Sequence, residues 1–289
     1  MAGTEFKRYR ILIPIPVILL IFSIIVLVSG YLQTGDWFLR SVELKGGTVI
    51  TINNPGDISI ASLENPLSEF GVVAIRELKG LSGNAVSIEI GSEIDENAVL
   101  AELKAFGVNT QDNSVEKVGP ALSSIFWIQS QFAIITAFVL MSIAVFLIFR
   151  TFVPSFAVIL AAASDIIATF AFMQIFGIEL SFASLAAILT LIGYSVDTDV
   201  LLTTRVLKGA GSLRERINAA MKTGLLMSFT AIGALASILV LSLSVVLSQI
   251  ALVLLIGLLL MWVIISPWFI TPLAGESGDI KTTSTPFLP

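Results

Sequence analysis

Long apolar runs separated by short polar breaks fill most of this chain, and one polar stretch interrupts them. Six runs, at approximately 11–30, 127–149, 153–175, 181–203, 224–243 and 247–270, each hold about the 20 residues needed to cross roughly 30 Å of hydrocarbon as a helix. Between the first two runs lie about 90 residues with a different rhythm. There "GGTVITI", "VVAIREL", "NAVSIEI" and "NSVEKV" alternate as strands, and "SIASLENPLSEF" and "DENAVLAELKAF" carry helical periodicity. The order β-α-β-β-α-β over residues 41–118 predicts a small α+β domain of ferredoxin-like arrangement. The "LKGGT" stretch reads as a turn before the first strand, because it lacks the length and the trailing Lys of a phosphate-binding loop.

The expected division is residues 1–30 as N-terminus and first span, 31–122 as a domain outside the membrane, 123–271 as five further spans, and 272–289 as a polar, disordered tail. Residues 208–222 read as a separate basic amphipathic helix with Leu213, Ile217 and Met221 on one face, lying at the interface or serving as a docking surface. The first run could instead be a cleaved signal. It is long for one, and no small-x-small site follows it, so a retained helix is expected.

Charge orients these spans. Lys7, Arg8, Arg10, Arg150, Arg205, Lys208, Arg214, Arg216 and Lys222 all fall on one side of a six-span arrangement. By the positive-inside rule both termini are then cytoplasmic. Residues 31–120 carry 13 acidic and 6 basic residues and face outward. An acidic outer domain without a basic, aromatic surface argues against nucleic-acid binding. With 56% hydrophobic residues and 13% charged ones, the chain is a polytopic membrane protein in the plasma membrane. It has no Cys and no His, which excludes thiol chemistry, histidine bases and histidine metal sites. No cofactor and no metal are expected.

Three acids stand inside the apolar runs: Asp165, Asp197 and Asp199. An ionised carboxylate in hydrocarbon is costly unless paired, hydrated or protonated, so such groups mark ion or proton pathways. Asp165 is 15 residues past Arg150, about 22 Å along a helix, near or beyond mid-membrane. Asp197 and Asp199 stand about 12 and 9 Å from Arg205, nearer the cytoplasm. This stagger suits a relay. Two residues apart, Asp197 and Asp199 point about 200° away from each other on an ideal helix. Gly193, Asp197 and Leu201 share one stripe, and Ser195, Asp199 and Thr203 share the opposite one. A bend in "IGYSVDTD" is the alternative. Hydroxyls of Ser195, Thr198, Thr203, Thr204 and Tyr194 are available to hold water or carry protons. The structural alternatives are an Asp199 pairing with Arg205 at the headgroups and an Asp165 bonded to a Ser or Thr of a neighbouring span. Trp262 lies deeper than an interfacial anchor requires.

Several of these motifs together resemble the SecF family of protein-export membrane proteins, of archaeal type. They are the one-span, domain, five-span layout, "VELKGGT", "VEKVGP" at 115–120, Arg150, Asp165 and above all "GIELSFASLAAILTLIGYSVDTDVLLTTRV". The resemblance implies a non-enzymatic subunit that pairs with a SecD-like membrane subunit, in a layout related to resistance-nodulation-division transporters. It implies work with a SecY-type channel on unfolded exported polypeptides, driven by the proton-motive force. Bacterial members read Gly-Tyr-Ser-x-Asn-Asp-Thr where this chain has Gly193, Tyr194, Ser195, Val196, Asp197, Thr198 and Asp199. The family aspartate thus aligns with Thr198, with an acid on each side, and the family arginine is Arg205.

The ion-coupling candidates are therefore Asp165, Asp197, Asp199, Thr198, Ser195 and Arg205. Two classes of function compete: an accessory transport subunit driven by an ion gradient, and a passive scaffold that stabilises the channel. An intramembrane aspartyl protease would need Asp165 and Asp197 to meet at one depth, and their expected depths differ. Six spans without an internal inverted repeat favour a half-transporter that needs a second subunit.

Overall fold

The computed structural model describes residues 14–53, 72–80, 83–91, 94–108, 110, 113–208, 211–241 and 244–268. Its elements are α1 (Pro14–Thr34), α2 (Val42–Lys45), β1 (Gly47–Asn53), β2 (Val72–Gly80), β3 (Gly83–Ile90), α3 (Glu96–Ala105), β4 (Asn113–Val118), α4 (Pro120–Phe149), α5 (Phe152–Ile175), α6 (Phe182–Lys208), α7 (Leu213–Leu241) and α8 (Val245–Trp268). Among the described residues six helices, α1 and α4–α8, are long and apolar enough to span a membrane, and the α+β domain lies between the first two of them.

Backbone groups in hydrocarbon must be satisfied within the segment, which is why the spans are helices. α5, α6 and α8 are the most buried and form the inner layer; α1, α4 and α7 pack around them. Gly257 of α8 permits a close approach: a Cβ there would collide with Leu191 of α6. The core divides in two. Ile166, Phe170, Met173, Leu180, Ile188 and Val253 pack at the outer half with Leu44 of α2. A second set around Val158, Ala161, Leu202, Val206, Ile256 and Met261 fills the inner half.

In the outer domain four antiparallel strands run in the order β2-β3-β1-β4. Ile50 pairs with Ile88 and Ile52 with Val86 across β1 and β3. These side chains pack with Val99 and Leu103 of α3. Asp95 caps α3, accepting a bond from the Asn97 N–H at 3.0 Å. The strands and α3 occupy the segments whose alternation and periodicity predicted them. The helix expected at 59–70 and the tail expected at 272–289 lie outside the described residues. A four-residue helix, α2, precedes β1 and was not expected.

Two boundaries differ from the sequence reading. α4 starts at Pro120 rather than 127, because Gly119 and Pro120 supply a helix start. The segment 208–222 is not a separate helix. From Leu213 onward it is the first part of α7, which runs unbroken to Leu241. Ile217 and Met221 pack on the inner core, which fixes the basic end of α7 to the bundle.

The double glycine before β1 has a steric cause. Gly46 and Gly47 have φ of +87° and +148°. A Cβ on Gly47 would stand 2.6 Å from the Ile90 carbonyl oxygen, and one on Gly46 would stand 3.2 Å from Pro120 Cα at the start of α4. The sheet therefore begins hard against the membrane helices, and only glycine fits the joint.

Candidate functional site

α6 is one uninterrupted helix from Phe182 to Lys208, so the alternative of a bend in "IGYSVDTD" is not realised. Thr198 and Thr204 spend their hydroxyls on the carbonyls four residues back, Tyr194 at 3.1 Å and Val200 at 2.6 Å, and leave the helix intact. Helical phase then separates the two acids. Asp199 is fully buried, and Asp197 is exposed on the outer surface of the bundle.

On the inner stripe of α6, Ser195 faces α5 and donates its hydroxyl to Asp165 Oδ2 at 2.5 Å. Asp165 is itself fully buried, and its other oxygen, Oδ1, has no partner. One turn along α6 from Ser195, about 6 Å, comes Asp199, and one further turn brings Thr203. Neither carboxylate oxygen of Asp199 has a partner, nor does the buried Thr203 hydroxyl. Asp199 lies within electrostatic reach of Asp165. Asp165, Ser195, Asp199 and Thr203 thus form a line of polar groups through an apolar core, running toward the C-terminal end of α6.

The remaining candidates separate from this line. Arg205 is exposed and donates to Thr223 Oγ1 at 2.7 Å and to the Ala219 carbonyl at 3.4 Å, tying α6 to α7. It does not pair with Asp199, so the headgroup ion pair considered for that acid is not formed. Thr198 is buried beside Asp199, with its methyl group toward Gly224 and the Trp262 ring. Asp165 does make the inter-helix bond to a Ser that sequence reading allowed as a structural alternative, but that bond leaves half of its carboxylate unpaired.

Two groups escaped sequence reading. The Ser228 hydroxyl of α7 and the Trp262 Nε1–H of α8 are both buried without a partner. The unusual depth of Trp262 was the signal for one; nothing distinguished Ser228 from an ordinary serine in a span. Gly224 permits the Trp262 contact, since a Cβ there would meet the indole at 3.3 Å. Unpartnered buried polar atoms each cost on the order of 1–3 kcal/mol. Their concentration on the facing sides of α5–α8 makes this the place where a proton, an ion or water would be bound most favourably. Among the described residues no group of three or more carboxylates gathers as metal ligands.

The family described as "Protein export membrane protein SecD/SecF, C-terminal" matches residues 82–274. A "Protein-export membrane protein SecF" of Methanothermobacter thermautotrophicus is 44% identical over 260 residues, covering 88% of this chain and 87% of that protein. The protein of the same name from Pyrococcus furiosus is 39% identical over 249 residues, covering 84% of this chain and 83% of its own length. Among solved structures, SecDF of Thermus thermophilus, described as a translocon-associated membrane protein, superposes with a TM-score of 0.72 at 20% identity. That match takes in 95% of this chain and only 38% of the larger one, and it speaks for the fold.

Proposed function

Because the chain belongs to the SecD/SecF family of protein-export membrane proteins, we propose that it is a SecF-type accessory subunit that promotes late translocation and release of exported polypeptides, coupled to the proton gradient through Asp165, Ser195 and Asp199. Its role is in protein export, and it is a multi-pass membrane protein; we read it as a non-enzymatic subunit of that machinery. A SecD-like subunit would complete the pathway that six spans leave half built. A SecY-type channel and an unfolded polypeptide are the further partners of this reading. Both termini would be cytoplasmic and the α+β domain outside. We include in the proposal a ferredoxin-like topology for that domain, which the order β2-β3-β1-β4 favours.

The observation that carries the coupling is the short Ser195–Asp165 bond with an unpartnered Asp199 one turn away. A proton arriving at Asp165 has a free oxygen to occupy. It leaves toward Asp199 by rearrangement of the Ser195 hydroxyl, which can accept as well as donate. Neutralising a buried acid removes a large desolvation cost, so each transfer changes the packing preferred between α5 and α6. Sodium bound between the same carboxylates is the second reading, favoured by the neighbouring Thr203 oxygen.

Release of a secreted reporter from vesicles carrying this protein and a SecD-like partner tests the proposal. Asp165→Asn and Asp199→Asn abolish the gradient-stimulated part, and Asp197→Asn retains it. Full stimulation in both buried variants leaves the passive scaffold as the function. Stimulation by a sodium gradient alone transfers the site to that ion.

A further inference from the structure

The segment between α1 and β1 is fastened to the hairpin between α5 and α6. The Leu180 N–H donates to the Leu39 carbonyl at 2.6 Å, and the Ser41 N–H donates to the Leu180 carbonyl at 3.0 Å, with Arg40 and Leu180 as a parallel bridge. Phe38 packs on Phe170 with ring centroids 4.4 Å apart, and the Arg40 guanidinium lies 5.0 Å from the Trp127 ring while pairing with Asp36. Leu44 is buried in the outer core.

Above this strap the carboxylate of Glu43 reaches the first turn of α6. Its Oε2 accepts the Phe182 N–H at 2.6 Å, a bond between residues 139 apart in sequence. The rest of that turn is capped locally: Ser181 Oγ accepts the Ser184 N–H at 3.2 Å, and Ser184 Oγ accepts the Ser181 N–H at 2.7 Å. Glu43 therefore supplies a charged acceptor at the positive end of the helix that carries Ser195 and Asp199, and it comes from the chain that becomes the outer sheet. Four residues later Gly47 opens β1, so a shift of Glu43 is passed directly to the strand.

We infer that Glu43 is a positioning residue, a latch that holds the outer sheet to α6 through the Phe182 N–H and that acid tightens rather than releases. The inference rests on the export reading above, and it concerns the outer face rather than the buried relay. Glu43 is suited to switching. Burial raises its pKa above the ordinary 4.5, the Phe182 N–H opposes that rise, and Glu116 of β4 raises it further. The sign follows from the direction. A carboxyl whose folded pKa is raised contributes stability as pH falls through that value, because its desolvation is relieved. The cap survives protonation, because the neutral carboxyl keeps a carbonyl oxygen that accepts the Phe182 N–H. Acid on the outer side thus favours the latched arrangement, where the carboxyl is buried, over an open one, where water would return its pKa toward 4.5. The titratable group facing Glu43 from the sheet is Glu116; from α6 it meets a backbone N–H.

The chain has no cysteine, so Lys104→Cys in α3 and Phe176→Cys in the α5–α6 hairpin give two unique, exposed spin-label sites. Electron–electron distance measurements on the full-length protein in lipid nanodiscs then read the latch without any export assay. A second, open population at high pH is expected to give way to a single narrow distance on acidification, with a midpoint above 4.5. Glu43→Gln, neutral at every pH, keeps the single distance throughout, Glu43→Ala shows the open population throughout, and Glu43→Asp keeps a pH response with a moved midpoint. Asp199→Asn leaves the response unchanged, so failure of the buried relay is seen separately, in reporter release. A wild-type distance that ignores pH, or a Glu43→Gln distance identical to wild type throughout, overturns the latch.

Discussion

The outer sheet and the membrane bundle solve burial in opposite ways. In the sheet, alternation sends Ile50, Ile52, Val86, Ile88 and Ile90 to the face that α3 covers, and Ser87 and Glu89 of β3 to the opposite face, where they too are buried. Among the described residues 47–118, Thr48 Oγ1 is the one buried side-chain atom without a partner. In the bundle the large apolar side chains of α4 and α7 face outward, and the unpartnered polar atoms of Asp165, Asp199, Thr203, Ser228 and Trp262 gather inside. Water rewards the first arrangement, since burying apolar surface is favourable there. Lipid gives no such reward to apolar contact between helices, and it penalises polar groups on the outside. The bundle can therefore hold a polar line in its core, at a standing cost that only a function would maintain.

Breaking the sheet core gives the largest effect. Ile88→Ala removes a fully buried side chain and costs the outer domain about 2–5 kcal/mol. Limited proteolysis should then cleave residues 47–118 first while the spans stay protected. Simultaneous loss of both would show that the two regions fold as one unit.

The bundle should respond with the opposite sign. Asp199→Leu replaces an unpaired buried carboxylate with an apolar group of similar size and is expected to raise stability by about 1–4 kcal/mol. A higher melting temperature in detergent, together with lost gradient stimulation, is the outcome expected of a site kept for function. A lower melting temperature would mean that Asp199 is a structural group with a partner.

The smallest effect sharpens the contrast within one helix. Asp197→Asn, two residues from Asp199 but exposed, should move stability by no more than about 0.5 kcal/mol. A large change in the isolated chain would require Asp197 to touch something inside it.

Much of this was legible beforehand for a simple reason. A span needs about 20 apolar residues wherever it stands, and a half-buried strand needs period two, so both patterns are local. The pattern "DENAVLAELKAF" located α3, and "VITI" and "VSIEI" located β1 and β3, because each carries its own periodicity. The helix α2 was not legible. Four residues have no periodicity, and they are helical where Leu44 is buried and the turn packs on α4. The join of 213–222 to α7 was also hidden, since the polar residues of a cytoplasmic turn of helix look the same whether or not a span follows.

The sequence by itself determined the six spans, the place of the outer domain, the presence of three intramembrane acids and the opposed faces of Asp197 and Asp199. Only the tertiary structure decided which face turns inward, because that depends on where α5 and α8 pack around α6, and helical phase alone has no reference direction. It chose Asp199 over Asp197, gave Asp165 to Ser195, sent Arg205 to Thr223, and brought Glu43 to Phe182 across 139 residues. Each of these is a contact between distant segments, and no local pattern encodes the partner at the far end.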